Sequence, residues 1–262
     1  MTVDTSYERR FGGIARLYGA AALETFRAAH VCVIGVGGVG SWSAEALARS
    51  GIGAITLIDL DDICVSNTNR QLPALAGQYG RMKVAALAER IVAINPECRV
   101  TTVEDFVDAD NLAALLGVGF DYVVDAIDSV KTKAALIHWC RRNKVSLITT
   151  GGAGGQIDPT QVQVTDLART TQDPLASKVR SILRREYGFP KGDKKFGIDC
   201  VFSTEPLVYP QLDGSVCAQK PAVGDSPVRL DCEGGFGASV AVTGTFGFVA
   251  VAHLLKKLAT KV

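Results

Sequence analysis

The 262-residue sequence predicts an α/β fold, a mostly parallel sheet with helices on both faces. Three observations predict it. Short apolar runs bounded by turn residues recur along the first 165 residues, each followed by a segment of helical periodicity. These runs are continuously apolar, as strands buried on both faces must be. The first run leads into Gly35-Val36-Gly37-Gly38-Val39-Gly40, a G-x-G-x-x-G turn, and from there into an Ala- and Leu-rich helix.

Residues 1–29 read as an amphipathic lead-in, with Arg9, Arg10 and Arg16 around Gly12-Gly13 and a helix over Ala20–Ala29. Val31–Ile34 is the first strand, Ser41–Ser50 the first helix after the turn, and Ala54–Ile58 the second strand, ending at Asp59. Glycines there allow a tight turn and close approach of backbone to phosphate, where a helix N-terminus favours negative charge. Asp59 stands about twenty residues beyond the glycines, the place for an acid that takes ribose hydroxyls. The fingerprint together with this acid predicts a nucleotide site in a Rossmann-like sheet; glycines that only let helix and strand pack closely are the alternative.

A polar connection follows, Asp61-Asp62 and Asn67-Thr68-Asn69-Arg70-Gln71. Arg81–Asn95 is a helix with Val84, Leu87, Ala88 and Ile91 on one face, stopped by Pro96. The pattern continues with a strand at Arg99–Val103, a helix at Asp108–Leu116 and a strand at Asp121–Asp125 that leads into Ala126-Ile127-Asp128. Then come a helix at Lys131–Arg142 and a strand at Val145–Thr149. Ligands of such sheets bind beyond the carboxyl ends of the strands, where Gly40, Asp59 and Asp128 are all expected. Past Gly151-Gly152-Ala153-Gly154-Gly155 the rhythm changes. A strand at Gln161–Thr165 and a helix at Asp173–Tyr187, capped by Thr171 or Asp173, precede a loop-rich stretch from Gly188 to Asp231 with Pro190, Pro206, Pro210, Pro221 and Pro227. There is no internal repeat.

Composition narrows the class. The chain is 47% hydrophobic and 21% charged, enough for a sizeable core. A net charge of +1 excludes recruitment of nucleic acid by a global field, so any such contact needs a local patch. Seven scattered cysteines without a C-x-x-C pair give no zinc framework. Their odd number, with Cys32 inside a strand, predicts reduced thiols in the cytoplasm. Residues 1–13 lack the apolar core of a signal peptide. Residues 234–252 carry no charge and satisfy a hydropathy test for a membrane span, but their glycines and threonines and the preceding Asp231 and Glu233 favour a buried helix. The three histidines, His30, His138 and His253, lie apart in or beside apolar segments and read as core or surface residues.

Gly35-Val36-Gly37-Gly38-Val39-Gly40-Ser41, Asp59-x-Asp61, Asn67-Thr68-Asn69-Arg70-Gln71, Lys83 and Asp125-Ala126-Ile127-Asp128 occur in one order. Together they resemble the E1-like adenylating superfamily, which includes the ThiF and MoeB activators of sulfur-carrier proteins and ubiquitin E1. The likeness covers about residues 7–165. The C-terminal third, with Asp231-Cys232-Glu233-Gly234-Gly235-Phe236-Gly237, is similar to the branch of tRNA threonylcarbamoyladenosine dehydratases.

That resemblance implies one E1-like adenylating domain over 1–262: the lead-in at 1–29, a nucleotide-binding core at 30–165, and a substrate-facing, dimer-associated part at 166–262. It implies a homodimeric ligase that uses ATP and Mg2+. The threonyl carboxylate of N6-threonylcarbamoyladenosine at position 37 of tRNA would attack the α-phosphate, and the adjacent carbamoyl group would then close a ring and expel AMP. The attacking group is already tethered, so no outside nucleophile is needed. Arg70 and Lys83 resemble the phosphate-contacting pair, and Asp128 the magnesium aspartate. Gly35, Gly37, Gly38, Gly40, Ser41, Asp59, Asp61, Asn67 and Gln71 would complete the nucleotide site. Taken singly, Arg70 reads as an exposed loop residue, Lys83 as a solvated helix residue and Asp128 as a helix N-cap.

The sequence departs from the superfamily in two places. Gly13 stands where an arginine commonly reaches the partner subunit's ATP, leaving Arg10 or Arg16 as substitutes. The zinc cysteines of ThiF and MoeB are missing, which weakens the alternative substrate, the C-terminal glycine of a sulfur-carrier or ubiquitin-like protein. An NAD-dependent oxidoreductase would leave Arg70, Lys83 and Asp128 without a role. A nucleotide-binding adaptor for a sulfur-transfer protein is a further class, and such a protein a further partner. Cys232 is either a vestige of the superfamily's thioester cysteine or a small buried residue. Lys178, Arg180, Arg184, Arg185, Lys191, Lys194 and Lys195 offer a tRNA surface, with Tyr187, Phe189 and Phe196 available to stack on bases. A solvated helix face with a hydrophobic anchor is the competing reading of that stretch.

Overall fold

Alternating strands with both faces apolar need helices on both sides, and the computed structural model has that architecture. It describes residues 4–211, 213–219 and 236–260. Seven strands form one sheet: β1 (His30–Ile34), β2 (Ala54–Ile58), β3 (Arg99–Val103), β4 (Tyr122–Asp125), β5 (Leu147–Thr150), β6 (Val162–Asp166) and β7 (Asp199–Ser203). Their order is β3-β2-β1-β4-β5-β7-β6. Every neighbouring pair is parallel except β6 with β7, which is antiparallel.

Successive side chains of β1 point to opposite faces. Val31 and Val33 enter one core with Leu47, Leu87, Ile91, Phe246 and Leu254. Cys32 and Ile34 enter the other with Leu112, Leu136, Ile137, Val179 and Leu183. The first face is covered by α3 (Gly40–Arg49), α4 (Lys83–Ile94) and α8 (Val240–Ala259), the second by α5 (Leu112–Leu116), α6 (Val130–Arg142) and α7 (Pro174–Glu186). The lead-in folds as α1 (Tyr7–Tyr18) and α2 (Ala20–Ala28), tied to the turn after α3 by the Tyr7 hydroxyl, which donates to Gly51 O at 2.6 Å.

Two expectations change. The stretch from Gly188 onward is not all loop: β7 lies inside it, between β5 and β6, so the sheet runs on past residue 165. The helix expected from Asp108 starts only at Leu112, because the Asp108 carboxylate accepts from Asp110 N and Asn111 N, both at 2.9 Å, and holds a turn instead.

The apolar C-terminal segment is α8. Among the described residues it is the one helix long and apolar enough to cross a membrane, with a mean hydropathy of 1.2. Its stripe of Val242, Phe246, Ala250, Val251, Leu254 and Leu258 is buried in the core. Gly247 lets α8 lie close on α3, since a Cβ there would stand 2.7 Å from Val39 O. Ser43 of α3 donates to Gly247 O at 3.4 Å. Asp231, Cys232 and Glu233 lie outside the described residues.

Candidate active site

The glycine turn folds back on itself at the carboxyl edge of the sheet. A Cβ on Gly40 would fall 1.8 Å from Gly35 O, and one on Gly35 would fall 2.9 Å from Ala126 O. Only hydrogens fit between the two ends of the turn and the residue that follows β4. Helix α3 then starts at Gly40 with no side chain capping it; Ser41 N donates to Gly37 O at 3.1 Å, and the helix N-terminus is otherwise left to an anion.

Asp59, at the end of β2, is engaged by backbone. Its carboxylate accepts from Val36 N at 2.7 Å and from Asp61 N at 2.9 Å. Burial pushes its pKa up. The side chain therefore fastens the glycine turn to the Asp61 turn, and each oxygen retains a lone pair for a ligand hydroxyl.

The Asn67–Gln71 segment lies over the start of α3. Trp42 of that helix donates to Arg70 O at 2.9 Å, and Leu72 N donates to the Ser41 hydroxyl at 3.2 Å. Asn67 shapes the segment, accepting from Cys64 N at 3.1 Å. The Arg70 stem passes 3.4 Å from where a Gly38 Cβ would stand, and its guanidinium donates to Ser66 O and Asn69 Oδ1, both at 2.9 Å. Gln71 Nε2 lies 3.6 Å from the equivalent point on Gly37. Lys83, at the start of α4, is 5% exposed and pairs with Asp61 Oδ2 at 2.7 Å. It is no solvated helix residue.

Asp128 is exposed two residues beyond Ala126 and so shares the edge with Gly35. Helix α6 starts after Ser129 without a side-chain cap, so Asp128 does not spend its carboxylate on capping. It has no ion-pair partner among the described residues. The glycine turn, Ser41, Asp59, Asp61, Asn67, Arg70, Gln71 and Lys83 thus converge, with Asp128 on the adjoining strand end.

Sequence reasoning missed what lies beneath this edge. Lys133 of α6 is 2% exposed and pairs with Asp125 Oδ2 at 2.8 Å. It donates to Thr149 Oγ1 at 3.0 Å, and that hydroxyl donates to Asp125 Oδ2 at 2.6 Å. Asp173, one of the two caps the sequence offered for α7, fills that role by accepting from Ala176 N at 2.8 Å, and it also accepts from Gly152 N at 3.0 Å; burial raises its pKa. A lysine at helical spacing from Leu136, Ile137 and Cys140 was the available signal for Lys133.

The basic stretch divides. Lys178, Arg185, Lys191, Lys194 and Lys195 are exposed. Arg180 is half-buried against the Thr170 hydroxyl. Arg184 donates to Pro190 O at 3.2 Å and Gly192 O at 3.1 Å, holding the loop after α7. Phe189 and Phe196 are 4% and 2% exposed within the second core, which removes them as platforms for bases. Tyr187 is half-buried and stacks on His138. Lys195 joins Arg169, Lys257, Asp166 and Asp199 around a polar cleft of about 310 Å³. Asp199 opens β7 and Asp166 ends the antiparallel β6, so this cleft lies at the sheet edge opposite the glycine turn. Cys32, Cys98, Cys140 and Cys200 are buried, and burial pushes the Cys140 thiol up to about 12, as suits inert core residues.

An open helix N-terminus, with the Arg70 stem against its glycine turn and Lys83 paired to Asp61, suits adenylation, since triphosphate and carboxylate must be brought together against their mutual repulsion. The chain belongs to the ThiF family, whose model matches residues 7–261. Within it, the chain is 63% identical over 262 residues to the tRNA threonylcarbamoyladenosine dehydratase of Escherichia coli, covering 100% of this chain and 97% of that protein. It is 54% identical to the Haemophilus influenzae protein of the same name, over 98% of this chain and 95% of that one. A crystal structure of the E. coli dehydratase in complex with ATP superposes with a TM-score of 0.87 at 58% identity, over 100% of this chain and 98% of that one.

Proposed function

We propose that this protein catalyses the ATP-dependent dehydration of N6-threonylcarbamoyladenosine at position 37 of tRNA through a carboxyl-adenylate. The single observation behind this reading is the full-length likeness to dehydratases, carried by a chain whose nucleotide-site motifs converge on one sheet edge. ATP would lie with its phosphates at the start of α3, its ribose toward Asp59, and Arg70 and Lys83 against the phosphate oxygens. An arginine grips two oxygens at once, and a buried lysine supplies a point charge. The threonyl carboxylate attacks the α-phosphate and pyrophosphate leaves. A carbamoyl atom then attacks the acyl carbon, its proton is lost, and AMP departs with the former carboxylate oxygen. The net change is removal of one water.

Asp128 fits Mg2+, which takes one or two carboxylates and fills its remaining positions with phosphate oxygens and water. When bound, the ion neutralises charge on the phosphates. Asp128 would hold it, and the Asp125–Lys133 pair would fix the turn that carries Asp128.

A homodimer, a cytoplasmic location and contact of the exposed lysines of 178–195 with tRNA belong to the same reading. In support of the dimer, α8 leaves Val240 and Phe248 44% and 48% exposed, and α1 presents Arg10 and Arg16 to solvent. A sulfur-transfer protein is a further proposed partner.

The test is to incubate the protein with ATP, magnesium and tRNA carrying the modified nucleoside, then weigh the nucleoside. Loss of one water that requires ATP and disappears in Lys83→Ala is the expected result. No mass change from a folded, ATP-binding protein overturns the reading and points to carrier proteins with a C-terminal glycine.

A further inference from the structure

Gln156 is 3% exposed, and neither its Oε1 nor its Nε2 has a hydrogen-bond partner among the described residues. Among the described residues Gln71 Oε1 is the one other buried side-chain atom in this state. Folded proteins satisfy nearly all buried polar groups, so an entire amide left unmet by the protein is met by a bound water or a ligand.

The amide is held where it is. On one side, Gly155 N donates to Gly237 O at 2.8 Å and Gly155 O accepts from Val208 N at 2.9 Å. On the other, the Glu205 carboxylate accepts from Ile157 N at 3.0 Å and Asp158 N at 2.9 Å. Gly155 has φ +74°, and a Cβ there would press on Phe236 at 2.8 Å. The backbone that carries the amide is therefore pinned at both flanks.

Its place in the sheet gives the ligand's identity. Along the carboxyl edge, β2 ends at Asp59, β1 opens the glycine turn, β4 leads to Asp128, and β5 leads through the glycine run to Gln156. The stations read ribose, phosphate, metal and then Gln156, on the far side of the phosphates from the ribose. One backbone segment links the last station to the first ones: Gly237 O receives Gly155 N, and the next carbonyl, Ala238 O, receives Asn69 Nδ2 at 2.8 Å. What must lie beyond the phosphates is the group whose carboxylate attacks them.

We infer that the Gln156 amide reads the ureido group of the threonylcarbamoyl substituent, Nε2 donating to the carbamoyl oxygen and Oε1 accepting from an adjacent N–H. A primary amide presents one donor face and one acceptor face side by side, and a urea presents their complement. The pairing tells modified from unmodified tRNA and sets the rotation of the group that later closes the ring. This inference rests on the dehydratase reading.

The test compares wild type with Gln156→Leu, an apolar side chain of similar volume, and with Gln156→Ala, which serves if the leucine variant does not fold. Three affinities are measured for each: ATP, tRNA carrying the modification, and the same tRNA without it. Wild type is expected to prefer modified tRNA, and the variants to lose about tenfold or more of that preference, the worth of two hydrogen bonds. Affinity for ATP and for unmodified tRNA holds, and the leucine variant melts no lower than wild type. A preference unchanged in the variants overturns the role of Gln156 alone, as does a parallel loss of ATP binding. Wild type that neither prefers nor converts modified tRNA overturns the dehydratase reading and this inference with it.

Discussion

Lys133 and Asp125 form an ion pair at 2.8 Å between side chains that are 2% and 0% exposed, directly beneath the turn that carries Asp128. Breaking a buried pair by removing one partner leaves an uncompensated charge and costs roughly 3–5 kcal/mol. Lys133→Met is expected to lose about that much in a denaturant titration at neutral pH. Asp125→Asn added to it removes the stranded charge, keeps an oxygen to accept from Ile127 N, lets the amide nitrogen donate to the Thr149 hydroxyl, and restores most of the loss. A double variant no more stable than the single one would mean that the lysine acts by packing.

Lys83→Ala separates catalysis from folding. Its partner Asp61 keeps 58% of its side chain in solvent, so it can hydrate once the lysine is gone. ATP–pyrophosphate exchange should fall about 10²–10³-fold, the usual effect of deleting one preorganised contact to developing charge. The melting temperature should stay near that of wild type. Retained exchange would remove Lys83 from the phosphate site.

Asp128→Ala should leave the fold intact, because the side chain is exposed and caps no helix. Activity is then expected to lose its response across a magnesium titration and to fall about 10²-fold or more. A variant still activated by magnesium at the wild-type concentration would assign the ion to another group.

Acid should weaken the fold through two histidines. Burial lowers the pKa of His30, helped by Arg99, and that of His138, helped by Arg142 and Arg141. Below pH 6.5 the unfolded chain takes up protons at these rings that the folded chain refuses. Stability is therefore whole above pH 6.5 and declines as the pH falls through the depressed values. Melting temperatures should drop between about pH 7 and 5.5, and His30→Asn should flatten the slope. Equal slopes for variant and wild type would exclude His30 as a source.

The nucleotide half of the molecule was legible because its signals are local. Strands β1 and β2 are unbroken apolar runs, and the glycine turn and Asp59 sit at fixed offsets from them. Strand β7 escaped because Asp199–Ser203 is five residues among prolines and glycines, and its partners lie well back in the chain, β5 about fifty residues and β6 about thirty to forty. Local pattern does not record pairing at that separation. Phe189 and Phe196 were open to two readings from sequence, base-stacking platforms or a hydrophobic anchor, because their neighbours are basic, and they fill the second core. Lys133 and Gln156 were invisible for the converse reason: residues that usually meet water are buried here, and only packing around them shows it.

The close seating of α8 on α3 bears on how the chain is made. The glycine turn lies at Gly35–Gly40, but the helix behind it is covered by Phe246, Gly247 and Ala250, which are synthesised about two hundred residues later. A nascent or prematurely terminated chain would hold the whole nucleotide signature without the backing that keeps Val39 and Ser43 in place. The seating of the nucleotide turn thus depends on a helix about two hundred residues further along the chain.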